Sequence, residues 1–239
     1  MYGWQAIATC FRRSKAPGMS RSKEEVRAFI GEIGIIPALR VSSAEEAIYA
    51  AETVADGGIP VVEVTMTVPG ALEVIATLAR KRPDIIAGAG TVLDTETAKR
   101  CAGAGAMFLT STGLELEILE VAANENLVVI PGALTPTEII AAWKAGADFV
   151  KVFPCAQVGG PSYIRAMKAP LPHVRMIASG GVTQLTASTF MLAGAEALGI
   201  GSELMPREAI RQHQAPWIHE LARRFLGMVK EARKHLAER

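Results

Sequence analysis

Short apolar runs alternate with amphipathic stretches along most of this chain. From Ser22, the residues Val26, Phe29, Ile30 and Ile33 recur at the spacing of one helical face, Gly34 ends that helix, and Ile35 to Leu39 reads as a first strand. A second helix, Ser43 to Asp56, carries Ala47, Ile48, Ala51 and Val54 on one face before Gly57 and Gly58 stop it, and Val61 to Thr65 is the next strand. The unit then recurs. Further strands are predicted at Ile85 to Ala89, Met107 to Thr110, Leu127 to Ile130, Phe149 to Phe153, Arg175 to Ala178 and Ala197 to Ile200, with helical patterns between them. Strand starts lie roughly 20 to 26 residues apart, the length of one βα unit, and such short apolar runs suit parallel strands covered by helices. The pattern therefore predicts an α/β chain closed into a (β/α)8 TIM barrel with an additional N-terminal helix. An open doubly wound sheet usually shows Gly-x-Gly-x-x-Gly after its first strand, whereas Pro37 to Ser43 contains no glycine. A final helix aligns Ile218, Leu221, Phe225, Val229, Ala232 and Leu236 on one stripe, to pack on the barrel's outside or on a neighbouring subunit. Residues 1–20 show no sustained period and carry Arg12, Arg13, Lys15 and an Ala16-Pro17-Gly18 break. They read as a loose arm, with Met19 as an alternative start, before a single barrel domain over 21–239.

Composition narrows the class. Half of the 239 residues are hydrophobic, enough for a substantial core, and a net charge of +1 gives no global field for nucleic acid or a membrane surface. No run is long enough to span a bilayer, and Gln5, Arg12 and Arg13 interrupt the apolar block that a signal peptide requires. Cys10, Cys101 and Cys155 stand in no paired spacing, so the expected location is a reducing cytoplasm.

The stretch Phe149-Val150-Lys151-Val152-Phe153-Pro154 puts a lysine at the centre of a buried strand. With a period of two, Phe149, Lys151 and Phe153 share one face, which seats the ammonium between two aromatic rings. Desolvation disfavours the charged form there, and a neutral amine attacks ketones. A head group that snorkels out of the strand end, or pairs structurally, is the alternative. Glu63, in Val61-Val62-Glu63-Val64-Thr65, has the same inward register. A carboxylate in direct contact would hold the proton on the amine, so a working pair is expected to be separated by a water or to share one proton. A purely structural ion pair is the competing reading.

Barrels of this kind work at the C-terminal ends of their strands. Arg40, after the first strand, suits a substrate carboxylate, and Thr91 follows Gly88-Ala89-Gly90, whose glycines let a ligand approach the backbone. Ser179-Gly180-Gly181 and Gly201-Ser202, after the last two strands, offer free N–H groups for a phosphate, and Phe153 at the mouth joins them as a substrate contact. No lysine or arginine beside that phosphate site is evident from the sequence. His173, His213, His219 and His235 lie away from strand ends, so no metal is expected, and Cys155 near the rim has no evident histidine partner.

Taken together, Glu63-Val64-Thr65, Gly88-Ala89-Gly90-Thr91-Val92, Ile130-Pro131-Gly132, Lys151-Val152-Phe153-Pro154 and Ser179-Gly180-Gly181-Val182 resemble the 2-keto-3-deoxy-6-phosphogluconate (KDPG) and 4-hydroxy-2-oxoglutarate (KHG) aldolase family from about Ile33 onward. The resemblance implies a homotrimeric barrel without cofactor, a Schiff base between Lys151 and pyruvate, and proton shuttling by Glu63. The implied partner is a small 2-keto acid: the phosphogluconate compound, 4-hydroxy-2-oxoglutarate or the phosphogalactonate analogue. Met66-Thr67-Val68-Pro69 lacks the arginine that some members carry after the Glu-Val-Thr strand, leaving Arg40 and Thr91 for the carboxylate, and Thr112 stands where many members have proline. Two other classes stay open: a phosphate-binding barrel isomerase without covalent chemistry, and a non-catalytic barrel kept as an assembly subunit.

Overall fold

The structure, a computed structural model, describes residues 21–238; the predicted arm over 1–20 lies outside the described residues. Helix α1 (Lys23–Ile33) opens on a capping box, in which the Ser22 side chain accepts from the Glu25 N–H while Glu25 accepts from the Ser22 N–H, and Gly34 ends it in the left-handed region.

The strands that follow are β1 (Ile35–Leu39), β2 (Val61–Thr65), β3 (Ile86–Gly90), β4 (Phe108–Thr110), β5 (Val128–Ile130), β6 (Gly132–Ala133), β7 (Val150–Val152), β8 (Met176–Ser179) and β9 (Ala197–Ile200). All pair in parallel, in the order β5-β4-β3-β2-β1-β9-β8-β7-β6. Pro131 alone separates β5 from β6, so these two are halves of one barrel strand, and the sheet closes as an eight-stranded (β/α)8 barrel. Strand bounds differ from the sequence pattern by one residue at several ends, where strand ladders fray.

Between the strands run α2 (Ala44–Asp56), α3 (Ala71–Lys81), α4 (Thr95–Gly103), α5 (Leu116–Asn124), α6 (Pro136–Lys144), α7 (Pro161–Lys168) and α8 (Ala187–Leu192), followed by α9 (Arg207–Arg211) and α10 (Ala215–Ala237). Outward strand residues such as Val62, Val64, Leu109 and Val150 pack beneath these helices. Helix α10 lies on the outside of the barrel against α2 and α8, which settles its place in favour of its own chain. Its buried stripe ends at Ala232; Leu236, expected on that stripe, is exposed.

Inward residues form a second core. Ile36, Val61, Ile86, Phe108, Val128, Phe149, Ile177 and Ala197 fill the lower barrel, and Val26, Phe29 and Ile30 of α1 pack beneath them. The additional helix is thus a plug for the N-terminal end. Asp148, just before β7, ties it down, with its carboxylate 3.0 Å from Lys23 Nζ, 3.6 Å from Arg27 Nη1 and accepting the Val129 N–H at 3.0 Å. With the bottom sealed by side chains, access to the interior is left to the C-terminal end.

Candidate active site

Lys151 and Glu63 meet inside the barrel. Their side chains come from β7 and β2, their relative exposures are 5% and 3%, and Lys151 Nζ stands 3.6 Å from Glu63 Oε1. That is ion-pair range but too long for a strong hydrogen bond. It also leaves no width for a water in line between the two atoms, so the expected water-separated arrangement is not the one adopted. Glu63 Oε1 is buried with no hydrogen-bond partner, although a carboxylate oxygen away from solvent ordinarily finds one.

The surroundings of the amine differ from the sequence reading. Lys151 Nζ lies 5.6 Å from the centroid of the Phe153 ring, but Phe149 does not complete a sandwich. Its ring belongs to the lower core and carries the Arg175 guanidinium at 5.7 Å, because two residues along a strand are already a full layer deeper in the barrel.

Gly88 and Gly90 serve the protein's own side chains. A Cβ at Gly88 would strike the Phe108 ring, and one at Gly90 would overlap the Glu63 carboxylate, so Gly90 makes the space in which the acid folds toward the lysine. The ligand approach first read into these glycines is filled from within. Thr91 follows at φ 58°, a left-handed conformation that a β-branched residue rarely adopts, held by the ladder before it and by the Val92 N–H donating to the Thr110 carbonyl.

The residues read as phosphate candidates line one cavity. A cavity of about 390 Å³ at the C-terminal end is lined by Phe153, Ser179, Gly180, Gly181, Gly201 and Ser202. Gly180 and Gly181 have φ of 83° and 89°, and a side chain on Gly181 would run into Ala156, so this turn demands glycine twice. Arg40 lines the same cavity, whereas Thr91 is not among its lining residues; the structure sets Arg40 with the glycine loops, on the side away from Thr91. Thr65 supports that edge, donating to the Leu39 carbonyl at 2.7 Å and sharing a hydrogen bond with Thr67 at 2.8 Å.

Two residues escaped the sequence reading. Arg207, at the start of α9, lines the cavity beside Gly181 and Ser202, so the anion candidates do have cationic side chains beside them. It sits five residues beyond Ser202 at the exposed start of a five-residue helix, and nothing in the local pattern marks it as lining the cavity. Thr110 is the other: it is 1% exposed and its hydroxyl has no partner. Its inward register on β4 was readable from Phe108, but it passed as an ordinary strand residue.

Nucleophilic cysteine chemistry finds no support, because burial pushes the Cys155 and Cys101 thiols up to about 11 and leaves them protonated at neutral pH. Among the described residues no group of three or more His, Cys, Asp or Glu side chains is arranged to hold a metal ion. Nor is any described helix long and apolar enough to cross a membrane.

The family model for KDPG and KHG aldolases matches residues 26–221. The chain belongs to that family. It is 30% identical to the KHG/KDPG aldolase of Escherichia coli over 189 residues, covering 79% of this chain and 89% of that protein. It is 35% identical to a Rhizobium meliloti protein named "Probable 2-dehydro-3-deoxy-6-phosphogalactonate aldolase" over 172 residues, 71% of this chain and 81% of the relative. The solved KDPG aldolase of Legionella pneumophila, with pyruvate captured as a covalent carbinolamine intermediate, superposes with a TM-score of 0.77 at 30% identity, over 82% of this chain and 95% of that one. The protein is accordingly an aldolase, a carbon–carbon lyase.

Proposed function

We propose that this aldolase cleaves a phosphorylated 2-keto-3-deoxy sugar acid, KDPG or its galactonate analogue, to pyruvate and glyceraldehyde 3-phosphate, with Lys151 as Schiff-base nucleophile and Glu63 as proton carrier. The observation that carries this reading is the pair itself: a buried amine 3.6 Å from a carboxylate oxygen that nothing else satisfies. A structural ion pair would be expected to complete its hydrogen bonds. In the reaction, the Lys151 amine adds to the C2 ketone and the carbinolamine loses water to give an iminium. Glu63 takes the C4 hydroxyl proton, the C3–C4 electron pair flows into the iminium, and the aldehyde departs. The enamine is then protonated, and water releases pyruvate.

The phosphate is supported by Arg207 and Arg40 beside the N–H groups of Ser179 to Gly181 and Gly201-Ser202. Thr91 remains the candidate for the carboxylate at the opposite wall. Unphosphorylated 4-hydroxy-2-oxoglutarate is the second reading, favoured by the family's own breadth. We also infer a homotrimer in a reducing cytoplasm; the exposed Leu93 and Leu116 offer apolar surface for a neighbouring copy, and the described cysteines Cys101 and Cys155 are free.

Pyruvate plus borohydride, followed by mass spectrometry, is expected to modify Lys151 irreversibly, and Lys151→Arg to block the modification; capture at another lysine sinks the assignment. For the substrate, kcat/KM is compared between KDPG and 4-hydroxy-2-oxoglutarate. Loss of several charge-assisted hydrogen bonds is expected to favour the phosphorylated acid by about 100-fold or more. Arg207→Ala should remove much of that preference. Equal cleavage of both acids, unaltered in Arg207→Ala, rejects the phosphate reading.

A further inference from the structure

Among the described residues, four buried side-chain polar atoms lack a hydrogen-bond partner: Tyr49 Oη, Glu63 Oε1, Thr110 Oγ1 and His219 Nε2. Tyr49 and His219 lie on α2 and α10, outside the barrel. The other two face its interior. Phe108 packs in the inner core and Leu109 in the outer one, so period two turns Thr110 inward. Ala89 pairs with Leu109, which places Gly90 level with Thr110 on the adjoining strand, about 4.8 Å away by ordinary strand spacing. The Glu63 carboxylate occupies the space over Gly90 that a Cβ would fill, and Lys151 Nζ stands 3.6 Å from its Oε1. Two orphaned polar atoms and the reactive amine thus belong to one layer of the barrel.

A hydroxyl shut away from water without a partner is destabilising, and a valine of the same shape would avoid that loss. Its presence beside an acid in the same condition calls for a ligand that both can bond. Schiff-base chemistry supplies one. Condensation expels one water: the C2 oxygen of the carbinolamine takes a proton and leaves as the C–O bond breaks. Hydrolysis of the pyruvate iminium consumes one water: its oxygen bonds to C2, and its proton returns to the acid.

We propose that Thr110 is a positioning residue which, with Glu63, holds this water as it leaves and re-enters C2. The inference rests on the aldolase reading above. Glu63 gives and takes the proton, while the Thr110 hydroxyl fixes the oxygen so that the proton faces the acid.

The test follows the borohydride-trappable pyruvate iminium with time in the wild-type protein, Thr110→Val and Thr110→Ser, together with kcat and the melting temperature. Thr110→Val is expected to form the iminium and turn over about tenfold more slowly, the rate equivalent of one lost hydrogen bond, with a melting temperature no lower than wild type. Thr110→Ser, which keeps the oxygen, should recover most of the rate. A valine variant that forms the iminium as fast as wild type overturns the proposal, and so does a serine variant as slow as valine, since the defect would then follow from packing. If the wild-type protein traps no pyruvate at Lys151, the aldolase reading fails and this inference falls with it.

Discussion

Two buried acid–base clusters, anchored three residues apart at Asp148 and Lys151, differ in how completely they are bonded. At the bottom of the barrel, one Asp148 oxygen meets Lys23 at 3.0 Å and accepts the Val129 N–H at 3.0 Å, while the other faces Arg27 at 3.6 Å. At the top, Glu63 meets Lys151 at 3.6 Å and keeps one buried oxygen without a hydrogen bond. Burial is nearly equal, 4% for Asp148 and 3% for Glu63, so burial does not distinguish them. The first cluster ties the plug helix to the barrel by two ion pairs and a backbone hydrogen bond; the second keeps an oxygen unbonded, as the proposed role in catalysis requires. Unspent polar capacity, more than charge or depth, separates the proposed working site from the structural cluster.

The contrast breaks most visibly at Asp148. Asp148→Ala strands Lys23 and the Val129 N–H and should lower unfolding stability by about 3 kcal/mol, with kcat/KM per folded molecule near wild type. Denaturant titration and active-site counting check this; a selective loss of activity would erase the distinction. Next is Glu63→Gln, for which turnover is expected to fall by about 100-fold while pyruvate is still trapped slowly, because proton transfer is lost and the amine remains. Full activity would demote Glu63 to a structural role. The smallest effect is expected at Gly90→Ala. The added methyl strikes the Glu63 side chain rather than backbone, so stability should change little, whereas a carboxylate pushed out of its place should cost on the order of tenfold in kcat. Steady-state kinetics beside thermal melts read both, and an alanine variant with unaltered kcat would show that the acid needs no such space.

Hydrophobic period alone carried the barrel, the plug helix and the inward register of Glu63 and Lys151, because period-two and helical patterns are local properties and charges in such strands stand out against valines and phenylalanines. The glycine turn at Gly180-Gly181 was equally readable, since its conformational demand is written at single positions. Distances were not. That the pair meets at 3.6 Å, that Gly90 yields space to Glu63 and not to a ligand, and that Phe149 drops into the lower core all depend on how β2, β3 and β7 stagger around the closed sheet. Arg207 and Thr110 were invisible for the same reason. One reaches the anion cavity by the turn of a short helix after the last strand, and the other is an unremarkable strand threonine whose missing partner appears only when every neighbour is in place. Local order in the chain specifies which way a side chain faces, whereas only closure of the barrel brings residues nearly ninety positions apart, Glu63 and Lys151, within reach of one another.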